Sequence, residues 1–209
     1  MSNSLQNSIA RIEEERKRIV APLQDLTQAQ LDFQQTAKSW SIGQIAEHVG
    51  LAERNLMEIV KTLFQQPGGR KVLEVSYDQL PLTIKGIPSS MARFSFELLR
   101  PFMFMTRFIP KPLVQSLLAN PIVKAKAAPE SEPTHGREGR EVTAFLTRVR
   151  QSTLQFLESV KEKDLSQYHW AHPLLGYQDL CGILGLIASH DSRHVLQLEN
   201  VKKDPHFPA

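Results

Sequence analysis

The segment that decides the fold is 177-YQDLCGILGLIASHDSRHVLQLENV-201. Its apolar side chains recur at helical spacing, and one face is defined by Ile183, Ile187, Leu198 and Val201. His190 and His194 fall within that face, four residues apart, so their imidazoles project from the same side one helical turn from each other. We therefore predict a long helix from about residue 177 to 201 with a histidine pair on its buried side.

Three further long helices are predicted elsewhere in the chain, over about 4–20, 41–66 and 137–161. Thr27 with Gln30, and Ser41 with Gln44, have the spacing of capping boxes that begin helices. Strand signals are almost absent. Four long amphipathic helices in one chain predict an all-α fold, an up-and-down four-helix bundle formed as a single domain over 1–209.

The apolar stripe of the second long helix consists of Ile45, Val49, Ala52, Leu56, Ile59 and Leu63. His48 lies on the shoulder of this stripe, whereas Glu47 and Glu58 fall on the opposite side and are predicted to be solvated. Three imidazoles that converge from two helices would hold a transition-metal ion and leave a coordination position open, as in catalytic sites. The alternative is that the histidines hydrogen-bond to neighbours and fill the core.

Composition excludes several classes of protein. Hydrophobic residues make up 41% of the chain, charged residues 22%, and the net charge is only +3, without the dense basic patch of a nucleic-acid binder. The single cysteine favours a reducing compartment, and the sequence shows no secretory signal and no transmembrane segment. A cytoplasmic protein that does not bind nucleic acid is the expectation.

Residues 68–136 form a predicted insertion between the second and third long helices, with helices at about 89–108 and 111–119. Within it, residues 91–109 are rich in Phe, Met and Arg. This stretch could be an apolar flap over the bundle, a homodimer surface, or an amphipathic helix on a membrane surface.

Two segments resemble the signatures of the DinB-like (YfiT-like) family of metal-binding four-helix bundles: WSIGQIAEHVGLAERN at 40–55 and HPLLGYQDLCGILGLIASHDSRHVLQLENV at 172–201. In that family a histidine that follows the Trp-Ser opening matches His48, and a His-x-x-x-His pair matches His190 and His194. The glutamine after this pair matches Gln197, and the glycine before the last helix matches Gly176. The long insertion departs from the simple bundle and leaves the substrate class open.

The resemblance implies one divalent ion, zinc or nickel above all, and in some members a low-molecular-weight thiol cosubstrate. Asp191 lies inside the buried arc and Glu53 lies near the edge of the other stripe, so each is a candidate general base. For both, an ordinary surface carboxylate is the alternative. Gln197 is a candidate second-sphere contact to a ligand histidine.

Two functional classes follow from these residues. In the first, the chain is a metal-dependent enzyme acting on a small molecule, either a hydrolase or a thiol S-transferase. In the second, the same site binds a metal and a ligand or partner without turnover. The distinguishing feature is whether Asp191 and Glu53 face the three histidines.

Overall fold

The computed structural model describes residues 3–66, 71–74, 110, 112, 113, 115, 116, 129–172 and 176–209. Its four long helices are α1 (Asn3–Leu23), α3 (Ile42–Phe64), α4 (Gly139–Val160) and α5 (Leu180–Lys202), with a short α2 (Gln28–Asp32) between the first two. The prediction of a bundle of four long helices is thus confirmed. The predicted helices at 89–108 and 111–119 lie wholly or largely outside the described residues.

The helix starts follow from capping residues. Both predicted capping boxes are present, Thr27 with Gln30 before α2 and Ser41 with Gln44 before α3. In each, the hydroxyl accepts from the backbone N–H three residues on, while the glutamine accepts from the backbone of the cap. The start predicted near residue 177 is wrong by three residues, because Asp179 caps α5 by accepting from the Gly182 N–H at 2.7 Å.

The relative directions of the long helices follow from the two halves of the core. One half joins the start of α1 and α5 to the end of α3 and α4, and includes Leu5, Ile183, Val60 and Leu157. The other half joins the opposite ends of the same helices, and includes Ile19, Leu198, Ile45 and Val142. Helices α1 and α5 therefore run parallel, and α3 and α4 run parallel to each other in the opposite direction.

This up-down-down-up order differs from the simple alternation that an up-and-down bundle implies. Because α3 and α4 are parallel neighbours, the chain must return along the bundle between Phe64 and Gly139, a distance of roughly 33 Å for a helix of this length. The segment predicted at 68–136 as an insertion therefore includes a crossover connection that this order of helices requires.

A small sheet accompanies the bundle, which the near absence of strand signals did not predict. Strand β2 (His169–His172) pairs in parallel with β1 (Val72–Glu74) and antiparallel with β3 (Gly176–Asp179). Gly176 has a φ of +74°, a conformation that side chains disfavour, and this explains a glycine where the chain enters β3. The sheet thus leads directly into the histidine-bearing helix α5.

Within the part of the chain that the structure describes, none of the helices combines the length and the apolar character needed to cross a bilayer.

Candidate metal centre

Three histidines from two helices meet in the bundle. His48 of α3 faces His190 and His194 of α5, with ring centroids 5.1 Å and 5.0 Å away. Each ring offers one nitrogen, and these three nitrogens all lie within 4.8 Å of one another. Among the described residues, this group contains no carboxylate or thiol. We call the three residues the histidine site.

His48 is oriented by a contact that the sequence did not suggest. Its Nδ1 lies 2.7 Å from the backbone carbonyl oxygen of Ser131, in a 3₁₀ turn (Pro129–Ser131) at the end of the crossover. A carbonyl only accepts, so Nδ1 carries the hydrogen and Nε2 keeps its lone pair for another partner. Trp40, which precedes the N-cap of α3, also contacts this ring with a centroid separation of 4.7 Å.

The pair on α5 is arranged similarly. Gln197 Oε1 lies 2.9 Å from His194 Nδ1, so this nitrogen donates and the Nε2 of a neutral His194 ring is left unprotonated. That Nε2 lies 3.2 Å from the Nε2 of His190. The contact between Gln197 and His194 is the one expected for Gln197 in the sequence analysis.

The environment keeps the three rings neutral. Burial is the main cause of a lowered pKa in each ring, and it brings the pKa of His194 to about 3. The positive charge of Arg193 lowers all three pKa values further. Neutral imidazole is the form that binds metal, so at neutral pH no ring must lose a proton first.

The turn that orients His48 is tied to α3 by two polar residues. Asn55 donates to the Ser131 hydroxyl at 2.9 Å. Glu47 accepts from the Thr134 backbone N–H at 2.7 Å and pairs with Arg137 at 2.6 Å. Glu47 is only 4% exposed, so the prediction that it is solvated is wrong, because the returning chain covers that side of α3. Glu58, in contrast, is exposed as predicted.

A buried ion-pair cluster lies beside the histidines, since Asp191 directly follows His190 and Glu53 is five residues after His48. It takes one residue from each long helix: Arg16, Glu53, Arg150 and Asp191. Arg150 contacts both oxygens of Glu53 at 3.0 and 2.9 Å, and Arg16 bridges Glu53 at 2.6 Å and Asp191 at 3.1 Å. Arg16 of this cluster is only 5% exposed.

The two carboxylates of this cluster differ. Burial opposes the ionisation of Glu53, but Arg16, Arg150 and the Thr153 hydroxyl together hold its pKa below the usual value. Burial raises the pKa of Asp191 to about 6, against the opposing charge of Arg16. One oxygen of Asp191 has no hydrogen-bond partner among the described residues, which explains why its carboxylate is less well stabilised.

These contacts bear on the predicted general bases. Asp191 is fully buried, as its position on the helix predicted, and Glu53 is only 1% exposed, so the surface-carboxylate alternative is wrong for both. Both carboxylates bind arginines, and neither belongs to the histidine site. Their roles as bases stay predictions, and the observed partners favour a structural role.

The donor set fits a transition-metal ion. Bonds of about 2.0–2.1 Å in tetrahedral geometry place two ligand nitrogens about 3.3 Å apart, close to the 3.2 Å between His190 and His194. His48 and His194 each have Nδ1 held by an oxygen acceptor, the outer contact typical of ligand histidines. The same 3.2 Å distance also suits a hydrogen bond between two imidazoles, so occupancy needs a direct measurement.

Comparison with known proteins agrees with the site. The model of the DinB superfamily matches residues 11–198, which is most of the chain. The protein therefore belongs to the DinB superfamily, a family of metal-binding helical bundles. No curated protein and no solved structure gives a significant match.

Proposed function

We propose that this protein binds a single divalent transition-metal ion, zinc or nickel, through His48, His190 and His194. The observation that carries the proposal is the convergence of three neutral imidazoles whose ligand nitrogens lie within 4.8 Å of one another. Imidazole suits several first-row metals, so availability and geometry decide between them. Carboxylates and thiolates do not compete for the ion within the described part of the site.

The proposed activity is metal-dependent chemistry on a small molecule, of the hydrolase or thiol S-transferase type, with a low-molecular-weight thiol as cosubstrate in the second case. The chemistry that such an ion supplies is Lewis-acid activation of a nucleophile at neutral pH. The protein's own residues orient the site: the Ser131 carbonyl holds the His48 ring, and Gln197 holds the His194 ring. Three protein ligands leave a position open to substrate. A cytoplasmic location is part of the same proposal.

A second candidate function is metal and ligand binding without turnover. The observation that favours it is that Glu53 and Asp191 are bound by Arg16 and Arg150, which leaves neither of the two predicted bases free to accept a proton. Homodimerisation through residues 91–109 would be compatible with either function, but that segment lies outside the described residues.

Elemental analysis of the purified, untagged protein tests the metal site. We expect about one transition-metal ion per chain in the parent and none in a variant with His48→Ala, His190→Ala and His194→Ala. The matched control replaces the exposed His135 and His206 by Ala and should keep its metal. A parent that stays metal-free after incubation with zinc and nickel would contradict the proposal.

The two candidate functions are then separated on metal-loaded protein. Metal-dependent turnover of a p-nitrophenyl ester, or thiol-dependent turnover of an activated aryl halide, would support the enzyme if the triple variant lacks it. Loaded protein that binds small thiols or anions but turns over neither class would favour the binding function.

A further inference from the structure

The charges around the histidine site are balanced on its inner side. In the ion-pair cluster, two arginines face two carboxylates. On the side of the crossover, Glu47 is paired with Arg137. These groups together therefore contribute almost no net charge.

Arg193 is the exception. It is half-buried on α5, between the two histidines in sequence, and makes no hydrogen bond or ion pair with any described residue. It lies three residues after His190 on the same helix, so the two side chains are neighbours on the helix surface, with Cβ atoms about 5–6 Å apart. Among the described residues, a half-buried cation without a counterion is therefore left beside the site.

The position of Arg193 on the helix places it on the open side of the site. At 100° per residue, Asp191 lies about 100° from His190 in one direction, and Arg193 lies about 60° away in the other. Asp191 is fully buried in the ion-pair cluster, whereas Arg193 is half-buried and so is the neighbouring His190. The histidines thus separate a closed, neutral side from an accessible, cationic side.

We infer that Arg193 binds a carboxylate group of the small-molecule substrate and orients that molecule toward the open position at the histidine site. This inference rests on the proposed function and specifies its substrate class. A guanidinium presents a planar fork of N–H donors that matches a carboxylate with two parallel hydrogen bonds. The missing counterion is then supplied by the ligand.

The single positive charge of Arg193 favours a carboxylate over a phosphate. One guanidinium carries one positive charge, which a single carboxylate neutralises. Phosphate sites, in contrast, commonly combine several donors, such as backbone N–H groups at a helix N-terminus. Arg193 lies in the second half of α5, away from the N-terminus of that helix.

The test compares the parent with Arg193→Gln, and uses Arg148→Gln as the matched control, because Arg148 is exposed on α4. Metal content is measured first in all three proteins. Acetate is then titrated into cobalt-loaded protein, followed by visible absorption, and into metal-free protein, followed by the NMR shift of the Arg193 Nε–H. Acetamide serves as the neutral isostere, and inorganic phosphate as the competing anion.

We expect unchanged metal content, with acetate affinity about tenfold weaker in Arg193→Gln and unchanged in Arg148→Gln. Acetamide should bind all three proteins equally weakly. Equal acetate affinity in the parent and Arg193→Gln, or an equal loss in both variants, would overturn the inference. So would phosphate binding that depends on Arg193 more strongly than acetate binding does.

The same experiment distinguishes failure of the proposed metal site from failure of the inference about Arg193. If the parent holds no metal, the titration of the metal-free protein still decides the role of Arg193. An acetate-dependent shift of the Arg193 resonance, absent with acetamide, would then support carboxylate binding, and the lack of such a shift would overturn it.

Discussion

The histidine site and the ion-pair cluster lie beside each other and both include residues of α3 and α5, yet their polar groups are satisfied in different ways. Glu53 is bonded by three side chains from two other helices. The three histidines instead direct ring nitrogens toward one another. Neutral ring nitrogens that face one another, without the opposite charges of the ion-pair cluster, form an arrangement that a bound metal ion would complete.

The ion-pair cluster and the histidine site therefore have different expected roles, the first in stability and the second in binding. In the cluster, attraction between opposite charges joins all four long helices and offsets the cost of burying them. In the histidine site, burial keeps the rings neutral, and the nearest unbalanced charge, Arg193, lies on its accessible side. Breaking the cluster should therefore affect stability, and breaking the site should affect binding.

The largest effect is expected for Glu53→Gln. Two buried guanidinium groups would lose their shared counterion, so we expect the free energy of unfolding to fall by about 3–5 kcal/mol. Urea denaturation of metal-free protein measures this change. Glu58→Gln on the same helix is the control, because that side chain is 62% exposed and its ion pair should contribute less than about 1 kcal/mol. Similar losses in the free energy of unfolding in both variants would contradict the distinction between the buried ion-pair cluster and an exposed ion pair.

A second prediction concerns the pH dependence of the metal-free protein. Burial lowers the pKa of His194 from 6.5 to about 3, so its contribution to stability is present above pH 6.5 and is lost as the pH falls toward 3. The loss from this residue approaches about 1.4 kcal/mol per pH unit. Urea denaturation at pH 7 and pH 5 should therefore show a smaller loss in His194→Gln than in the parent.

Asp191 acts in the opposite sense, since its pKa is raised from 3.8 to about 6. Its contribution is present below pH 3.8 and is lost as the pH rises through 6. It is common to the parent and to His194→Gln, so to a first approximation it cancels in the difference between them. Parallel stability curves for the two proteins would show that His194 is not buried in its neutral form.

The smallest effect is expected for Gln197→Ala. Loss of the acceptor at His194 Nδ1 frees the ring to rotate, so we expect metal affinity to weaken about tenfold while the free energy of unfolding changes little. Competition with a chromophoric chelator measures the affinity. Gln155→Ala, at an exposed position of α4, is the matched control, and equal affinities in all three proteins would remove Gln197 from the site.

The sequence by itself was sufficient for the helices and for the histidines. Helical periodicity, the capping boxes at Thr27 and Ser41, and the spacing of His190 and His194 are local properties of the chain. The position of His48 on the shoulder of its helix's apolar stripe indicated the third histidine, and the family signatures matched it and Gln197 to the same site. These features were predictable because each depends on residues within a few turns of one helix.

Only the tertiary structure decided the partners of the buried charges. Glu47 lies on the side of α3 that was predicted to be solvated, and it is buried because a distant segment covers it. Arg16 and Glu53 are buried together because each finds its opposite charge on another helix. The Ser131 carbonyl reaches His48 because the chain returns along the bundle between two parallel helices. Such contacts depend on the direction and packing of whole helices, and periodicity along one helix carries no information about either.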